Sequence, residues 1–134
     1  MIVLDTHALL WWVEGQASNL SSRGRSAIES ERSAEDGEIV VSSITAWEIA
    51  LLVARRRLGL TAGVDAWLAK IARMERLRFV PVDNEIAVAA VDLPGELHRD
   101  PADRIIVATA RHFDAPLVTG DRQLRAYQHV RTIW

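Results

Sequence analysis

Short runs of apolar residues alternate with helix-like stretches along this chain. Runs at residues 1–4, 39–42 and 117–119 are apolar almost without interruption, and two more lie at 78–82 and 130–133. Strands that are apolar on both faces, rather than alternating with polar residues, are typical of a parallel sheet with helices packed on each side. The pattern therefore predicts an α/β protein, a three-layer α/β/α sandwich with a five-stranded, mainly parallel sheet and right-handed crossovers.

The segments between the strands carry the spacing and the capping residues of helices. We predict seven of them: residues 6–13, a second that follows the cap region 18–22 and runs to 34, and then 45–57, 64–76, 84–91, 101–113 and 122–127. No repeat or low-complexity segment interrupts this alternation, and 134 residues suffice for one core. We therefore expect a single domain over residues 1–134.

The composition is that of an ordinary globular protein, with 49% hydrophobic and 25% charged residues. No apolar run approaches the roughly 20 residues that cross a bilayer, and Met1 leads directly into a predicted strand rather than into an export signal. The absence of cysteine excludes disulfides and thiolate metal sites, and it is compatible with a reducing compartment. We therefore expect a cytoplasmic protein without a membrane segment.

Four acidic residues stand where a predicted strand gives way to a helix. They are Asp5, Glu48, Asp103 and Asp121. All strand-to-helix junctions of a parallel sheet lie at the same edge, so these residues are expected to meet there. Carboxylates that share one pocket repel one another unless a cation lies between them. The arrangement predicts a site for Mg²⁺ or Mn²⁺, which prefer oxygen ligands.

Helix capping offers a separate explanation for each acid. Asp100, Pro101 and Asp103 fit an N-cap, a first helical position and an acidic third position. Thr45 and Glu48 have the spacing of a capping box, and the other two acids could each cap the helix that follows. Capping does not require carboxylates at all four junctions, since Ser, Thr or Asn would serve as well. The joint pattern therefore favours metal binding, with Asp100 assigned as a cap and Asp103 as a ligand.

The basic side chains are almost all arginine, with Lys70 the only lysine. The formal net charge of −2 becomes positive if the four carboxylates are neutralised by metal, so a phosphate-bearing partner is compatible with the charge. Arginine suits bidentate phosphate contacts, although a genome rich in arginine codons explains the bias equally well. The run at 55–57 is expected to be a solvated helix end.

Four segments of the chain resemble the PIN domain family, and in particular its VapC-type toxin ribonucleases. They are residues 1–7 (MIVLDTH), 42–50 (SSITAWEIA), 98–110 (HRDPADRIIVATA) and 119–121 (TGD). Each segment is weakly specific alone, but the four occur in the family's order and spacing from one end of the chain to the other.

The resemblance implies that Asp5, Glu48, Asp103 and Asp121 are the catalytic and metal-binding residues. Asp5, Asp103 and Asp121 are expected to lie closest to the metal, and Glu48 to act through a water or on the nucleophile. Bound Mg²⁺ or Mn²⁺ lowers the pKa of a water that attacks phosphorus. The family's products are a 5′-phosphate and a 3′-hydroxyl. One ion and two are both compatible with the sequence.

Residues next to these acids are also implicated by the resemblance. Thr6 and Thr119 occupy positions that orient the first and last carboxylates. Arg104 is assigned either to a phosphate or to a structural salt bridge. The chain departs from the commoner pattern at His7, where asparagine is usual, and at Ala102, where relatives often have an aromatic residue.

The implied function is that of a metal-dependent endoribonuclease, the toxin of a toxin–antitoxin pair, with RNA as substrate, a cognate antitoxin as partner and a homodimeric state. A PIN nuclease of RNA processing without an antitoxin remains an alternative, as does a non-catalytic PIN-like scaffold, although such scaffolds are expected to lack one or more of the acids. An aspartyl-phosphate enzyme is disfavoured because His7 stands where its second aspartate is expected and Lys70 lies within a helix.

The tryptophans are expected to pack mainly in the core. Trp47 and Trp67 have aliphatic neighbours at helical spacing. Trp11 and Trp12 are adjacent on a helix and cannot both face the core, so one of them is expected to be exposed or in an interface. We assign no role to the scattered histidines His98, His112 and His129.

Overall fold

Five parallel strands form one sheet in the computed structural model, which describes residues 1–134. The strands are β1 (Ile2–Leu4), β2 (Ile39–Ser42), β3 (Leu77–Val80), β4 (Leu117–Val118) and β5 (Thr132–Ile133). Their order in the sheet is β3-β2-β1-β4-β5, and every neighbouring pair is parallel. The predicted α/β class and the five-stranded sheet are confirmed, with all pairs parallel.

Seven helices connect and cover the strands. They are α1 (Thr6–Val13), α2 (Ser22–Ser33), α3 (Ile44–Ala54), α4 (Val64–Ile71), α5 (Asn84–Val91), α6 (Pro101–His112) and α7 (Arg122–Ala126), with a short 3-10 turn at Ala17–Asn19. The prediction placed the end of α3 three residues too late. Arg56 there has a φ of 56°, and the Arg57 amide donates back to Leu52, so the chain leaves the helix through a left-handed C-terminal turn.

Side chains of the strands alternate between two apolar cores, one on each face of the sheet. Ile2 and Leu4 belong to the core that includes Leu9 of α1, whereas Val3 between them packs on the other face with Ile106 of α6. All five are almost completely buried. Because a strand turns successive side chains to opposite faces, uninterrupted apolar strands require this three-layer arrangement.

The central strand β1 lies at the point where the strand order reverses. The chain proceeds from β1 to β2 and β3 on one side, and later places β4 and β5 on the other side. In open α/β sheets the crevice at such a switch point, outside the carboxyl ends of the strands, is the usual ligand site. Asp5 directly follows β1, and Asp121 follows β4 on the opposite side of this crevice.

The tryptophans only partly follow the prediction. Trp67 is buried, and its indole nitrogen donates to Glu14. Trp47 is 57% exposed, which contradicts the predicted core position, because α3 turns Thr45 and Ile49 to the core and thus Trp47 away from it. The adjacent Trp11 and Trp12 are both half-buried, so the two rings share the boundary of the core instead of one being fully exposed.

The longest helices have 12 residues. No helix combines the length and the apolar character needed to cross a membrane.

Candidate metal centre

Asp5 lies at the carboxyl end of β1 and is nearly completely buried. It is the N-cap of α1, where its Oδ1 accepts from the amide of Ala8 at 2.7 Å. Thr119 lies close enough to this carboxylate to favour its ionised form. Asp5 therefore caps a helix and at the same time brings a carboxylate to the crevice beside β4.

Asp121 occupies the matching position after β4, and it is more exposed. It is the N-cap of α7, and its Oδ1 accepts from the amides of Gln123 at 2.7 Å and Leu124 at 3.0 Å. Thr119 Oγ1 accepts from the Asp121 amide at 3.1 Å. Thr119 thus hydrogen-bonds to the backbone of the last acid and lies close to the first.

Glu48 reaches the crevice from α3 and hydrogen-bonds to α1. Its carboxylate accepts a short hydrogen bond from the Thr6 hydroxyl, and Thr6 Oγ1 lies 3.0 Å from Thr45 Oγ1. The predicted capping box of Thr45 and Glu48 is wrong. Ser43 is the N-cap of α3 and makes no side-chain cap, and both predicted partners turn to Thr6 instead. Thr6 consequently orients Glu48, not the first aspartate as the resemblance implied.

Asp100 and Asp103 have different positions at the start of α6, and the prediction that Asp100 is the cap is confirmed. Asp100 is the N-cap and accepts from the amide of Asp103 at 3.1 Å. The carboxylate of Asp103 is therefore not needed for capping. Its Oδ2 lies 3.3 Å from Nε2 of His98, a residue to which the sequence assigned no role.

Three of the four acids are held in surroundings that oppose their ionisation. Burial raises the pKa of Asp5, and the nearby Thr119 and the hydrogen bond from the Ala8 amide offset this only in part. Burial likewise raises the pKa of Glu48 despite the hydrogen bond from Thr6.

The effect is largest at Asp103. Burial, followed by repulsion from other carboxylates, raises its pKa to about 7. In decreasing order the repelling groups are Asp100, Glu48, Asp121 and Asp5. Asp103 therefore lies within electrostatic reach of the other three predicted acids, at the same edge of the sheet.

The donor set fits a hard divalent cation, since it consists of carboxylates in a partly buried pocket of mutual repulsion. A cation there would remove the repulsion that raises the pKa of Asp103. As the side chains stand, no group of three or more acidic or histidine residues is arranged to hold one ion. Binding would thus require rotations that bring the free carboxylate oxygens together.

Arg104 does not make the predicted salt bridge. Its guanidinium donates to four backbone carbonyls, two at the end of α5 and two in the loop before α6: Ala90, Val91, Leu97 and His98. Helix ends leave such carbonyls without partners, and the arginine satisfies them. The guanidinium thereby holds His98 beside Asp103. Sequence spacing gave no sign of this, because the contacts depend on how α5 packs against α6.

Comparison with known proteins gives consistent matches over the whole chain. The PIN domain family matches residues 2–130. The chain is 37% identical to Ribonuclease VapC22 of Mycobacterium tuberculosis over 135 residues, which cover 99% of this chain and 98% of that protein.

Solved structures with the same fold have lower sequence identity. The crystal structure of VapBC2 from Rickettsia felis bound to a promoter DNA fragment gives a TM-score of 0.70 at 17% identity, covering 98% of this chain and 97% of that one. A toxin–antitoxin complex from Klebsiella pneumoniae gives 0.62 at 18% identity, with 97% and 95% covered. FitAcB from Neisseria gonorrhoeae gives 0.59 at 21% identity, with 98% and 96% covered. At these identities the likeness shows the fold.

Proposed function

The chain belongs to the PIN domain family, among its VapC-type members, and we propose that it is a divalent-metal-dependent endoribonuclease that acts as the toxin of a toxin–antitoxin pair. The curated relative is named a ribonuclease, and the same cleavage is proposed for the single domain at residues 1–134. We place the protein in the cytoplasm, where RNA substrates and an antitoxin are available.

The observation that supports this proposal most directly is the electrostatic coupling of the four acids. Asp103 is repelled by each of the other three, and its pKa is raised to about 7. A cluster of partly buried carboxylates is unfavourable unless a cation compensates it. Such a cluster at the switch point of a parallel sheet has the composition of a Mg²⁺ or Mn²⁺ site.

In this proposal Asp5, Asp103 and Asp121 hold the metal, and Glu48 orients the attacking water. When bound, the metal supplies a water of lowered pKa and a charge that neutralises the phosphodiester oxygens. The hydrogen bond from Thr6 keeps the carboxylate of Glu48 directed into the crevice. The low exposure of Asp5 limits competition from bulk water at the base of the site.

The test compares two aspartates that both cap helices. Asp121 and Asp83 are the N-caps of α7 and α5, and each accepts from the amide three residues on. Asparagine caps a helix about as well as aspartate, so Asp121→Asn and Asp83→Asn should both fold. We expect Asp121→Asn to lose at least about 100-fold in Mg²⁺-dependent RNA cleavage, the upper end of what even an outer-shell change costs.

Asp83→Asn should cleave at the wild-type rate, because Asp83 lies outside the cluster. Chelation of divalent metal should abolish cleavage by the wild type, and Mn²⁺ or Mg²⁺ should restore it. Equal cleavage by wild type and Asp121→Asn, or cleavage that persists under chelation, contradicts the proposed mechanism.

We also propose an antitoxin partner. The acidic crevice favours a cationic side chain of a protein inhibitor, for the reason that it favours a metal ion. Growth arrest on induced expression, relieved by co-expression of the product of a neighbouring short reading frame, is the expected result. Arrest that no neighbouring product relieves would favour a nuclease without an antitoxin.

A homodimer is also proposed. Large apolar side chains exposed in the monomer include Trp47, Val88 and Val91. A second copy of the chain could cover part of this surface. Light scattering after size-exclusion chromatography should give twice the chain mass of 14.9 kDa, and a monomer at all concentrations contradicts the proposal.

A further inference from the structure

An open cavity of about 500 Å³ lies beside the candidate metal centre, next to the turn that carries Asp121. It is lined by residues of α2, α7 and the segment of β5, namely Arg23, Arg122, Arg125, Ala126, Thr132 and Trp134. Half of the lining residues are arginines, and none is acidic. The cavity is therefore a concentration of positive charge at the rim of an acidic crevice.

The three arginines of this cavity have no partners within the protein. Arg23, Arg122 and Arg125 are exposed, and none of their guanidinium groups makes an ion pair or donates a hydrogen bond. Other arginines do have partners, either carboxylates or backbone carbonyls: Arg25, Arg32, Arg78, Arg104, Arg111 and Arg131. The fold does not use the guanidinium groups of the cavity, so they remain available to an external anion.

The cavity and the metal centre both include residues of α7 or its N-cap. Arg122 directly follows Asp121, and Arg125 lies three residues on along the same helix. The indole of Trp134 lies against Gly120, where a Cβ would come within 2.8 Å of Cζ2. A ligand bound by the arginines thus contacts the helix that Asp121 caps.

Aromatic side chains continue from the cavity towards the acids. The rings of Trp134 and Trp11 have centroids 5.8 Å apart, and those of Trp11 and His7 are 5.6 Å apart. His7 in turn lies near Asp5 and Glu48 of the metal centre. Aromatic rings next to a positively charged groove are the features that bind single-stranded nucleic acid without strict sequence preference.

We propose that the cavity formed by Arg23, Arg122, Arg125 and Trp134 binds backbone phosphates of the single-stranded RNA that flanks the cleaved bond. This inference rests on the proposed function, since it names the part of the chain that holds that substrate. The acids of the metal centre repel an RNA strand, and a neighbouring set of unpaired guanidinium groups offsets the repulsion. Arginine matches phosphate in a bidentate geometry, and the aromatic row offers surfaces for the adjoining bases.

The experiment measures binding apart from cleavage. In an Asp103→Asn background, the affinity for a short single-stranded RNA of mixed sequence is measured by fluorescence anisotropy at several salt concentrations. Log affinity falls linearly with log salt concentration. We expect each of Arg23→Ala, Arg122→Ala and Arg125→Ala to make this slope less steep by about 0.7 per lost phosphate contact. The triple variant should show the sum of the three changes in slope.

The matched control removes the same charge elsewhere. Arg55, Arg56 and Arg73 are exposed arginines outside the cavity whose guanidinium groups also have no partner. Their triple alanine variant should leave the salt slope within about 0.7 of the wild type, less than one phosphate contact. Thermal unfolding and the three single variants show whether any loss reflects folding rather than binding.

The outcomes separate this inference from the proposed function. If wild-type protein fails to cleave RNA but binds it through the three arginines, the inference holds and the proposed function fails. If the protein cleaves RNA and the cavity variant keeps the slope of the control, the inference is overturned. It is overturned as well if the cavity variant loses binding to an acidic peptide while its affinity for RNA is unchanged.

Discussion

Nε2 of His98 lies 3.3 Å from Oδ2 of Asp103, within ion-pair distance but without the geometry of a hydrogen bond. Both side chains are about three-quarters buried, and the His98 nitrogen has no other partner in the protein. Asp103 thus lies between the mostly buried imidazole of His98 and the carboxylates of the metal centre. Burial, followed by repulsion from the other carboxylates, raises the pKa of Asp103 to about 7.

The metal-free protein is expected to lose stability as pH rises, through Asp103. Its pKa is raised from the usual 3.8 to about 7, so the folded state binds more protons than the unfolded state between these values. Stability therefore falls across that window and is lowest above it. In urea denaturation without metal at about pH 8, the free energy of unfolding of Asp103→Asn should exceed that of the wild type by on the order of 1 kcal/mol. This figure is discounted for the partial exposure of the side chain.

The difference should disappear at about pH 3, where the wild-type carboxyl is protonated in the folded state and largely so in the unfolded state. Asp36→Asn, at an exposed turn position, should follow the wild type throughout. A wild type that becomes more stable between these pH values, relative to Asp103→Asn, would contradict the assignment.

Divalent metal is expected to reverse this pH dependence. A cation binds the ionised carboxylates, so binding releases the proton of Asp103 and strengthens as pH rises through about 7. Saturating Mg²⁺ should raise the unfolding midpoint of the wild type more at about pH 8 than at about pH 6. The effect should be much smaller in Asp5→Asn, while Asp83→Asn should respond like the wild type. Equal midpoint shifts at both pH values argue against coordination by these acids.

Loss of the Thr6 hydroxyl should damage both stability and activity. The hydroxyl donates to Glu48 and contacts Thr45, which is completely buried. Thr6→Val keeps the shape and leaves these groups without their partner, at a cost of about 1–3 kcal/mol. Thr6→Ser keeps the hydroxyl and should retain RNA cleavage close to the wild type. If the valine and serine variants cleave equally, Thr6 does not orient Glu48.

The fold followed from the sequence because its elements are encoded locally. Uninterrupted apolar strands and capping residues are properties of short segments, and α1 and α5 have the predicted bounds at Thr6–Val13 and Asn84–Val91. Prediction was weaker at the ends of α3 and α4. Arg56 leaves α3 with a positive φ, and α4 ends at Ile71, five residues before the predicted end at Arg76, which has a positive φ in the turn before β3. No local signal distinguishes an arginine that will adopt that conformation from one that will not.

The candidate site was predicted as a set of acids but not as a set of contacts. Parallel topology alone places the four carboxylates at one edge, so their association could be inferred. The contacts that orient them join residues far apart in sequence, as Thr6 and Glu48 are. The positions of His98 and Arg104 depend on the packing of α5 against α6, which the sequence pattern does not specify.

Arg104 is expected to be irreplaceable by lysine. Its planar guanidinium donates to carbonyls of two separate segments, at the end of α5 and in the loop before α6. A single ammonium group cannot span both. Arg104→Lys should lower the free energy of unfolding by about 2 kcal/mol and reduce cleavage, since the segment that holds His98 is loosened. Arg99→Lys, at an exposed position in the same loop, should change neither quantity. Wild-type stability of Arg104→Lys would show that water satisfies these carbonyls.

The close packing of Gly120 and Trp134 gives a prediction that a double-mutant cycle can test. A Cβ at Gly120 would lie 2.8 Å from Cζ2 of Trp134, so Gly120→Ala must displace the ring or the turn that ends in Asp121. Overpacking of this kind costs about 1–3 kcal/mol. A Trp134→Ala background removes the three nearest atoms, so the same substitution should cost less there. A Cβ at Gly59 would meet no atom within 4 Å, so Gly59→Ala should have the same small effect in both backgrounds. A cost of Gly120→Ala that is independent of Trp134 would mean that the strain lies in the backbone. The cleavage rate of the double variant would then indicate whether Asp121 has moved.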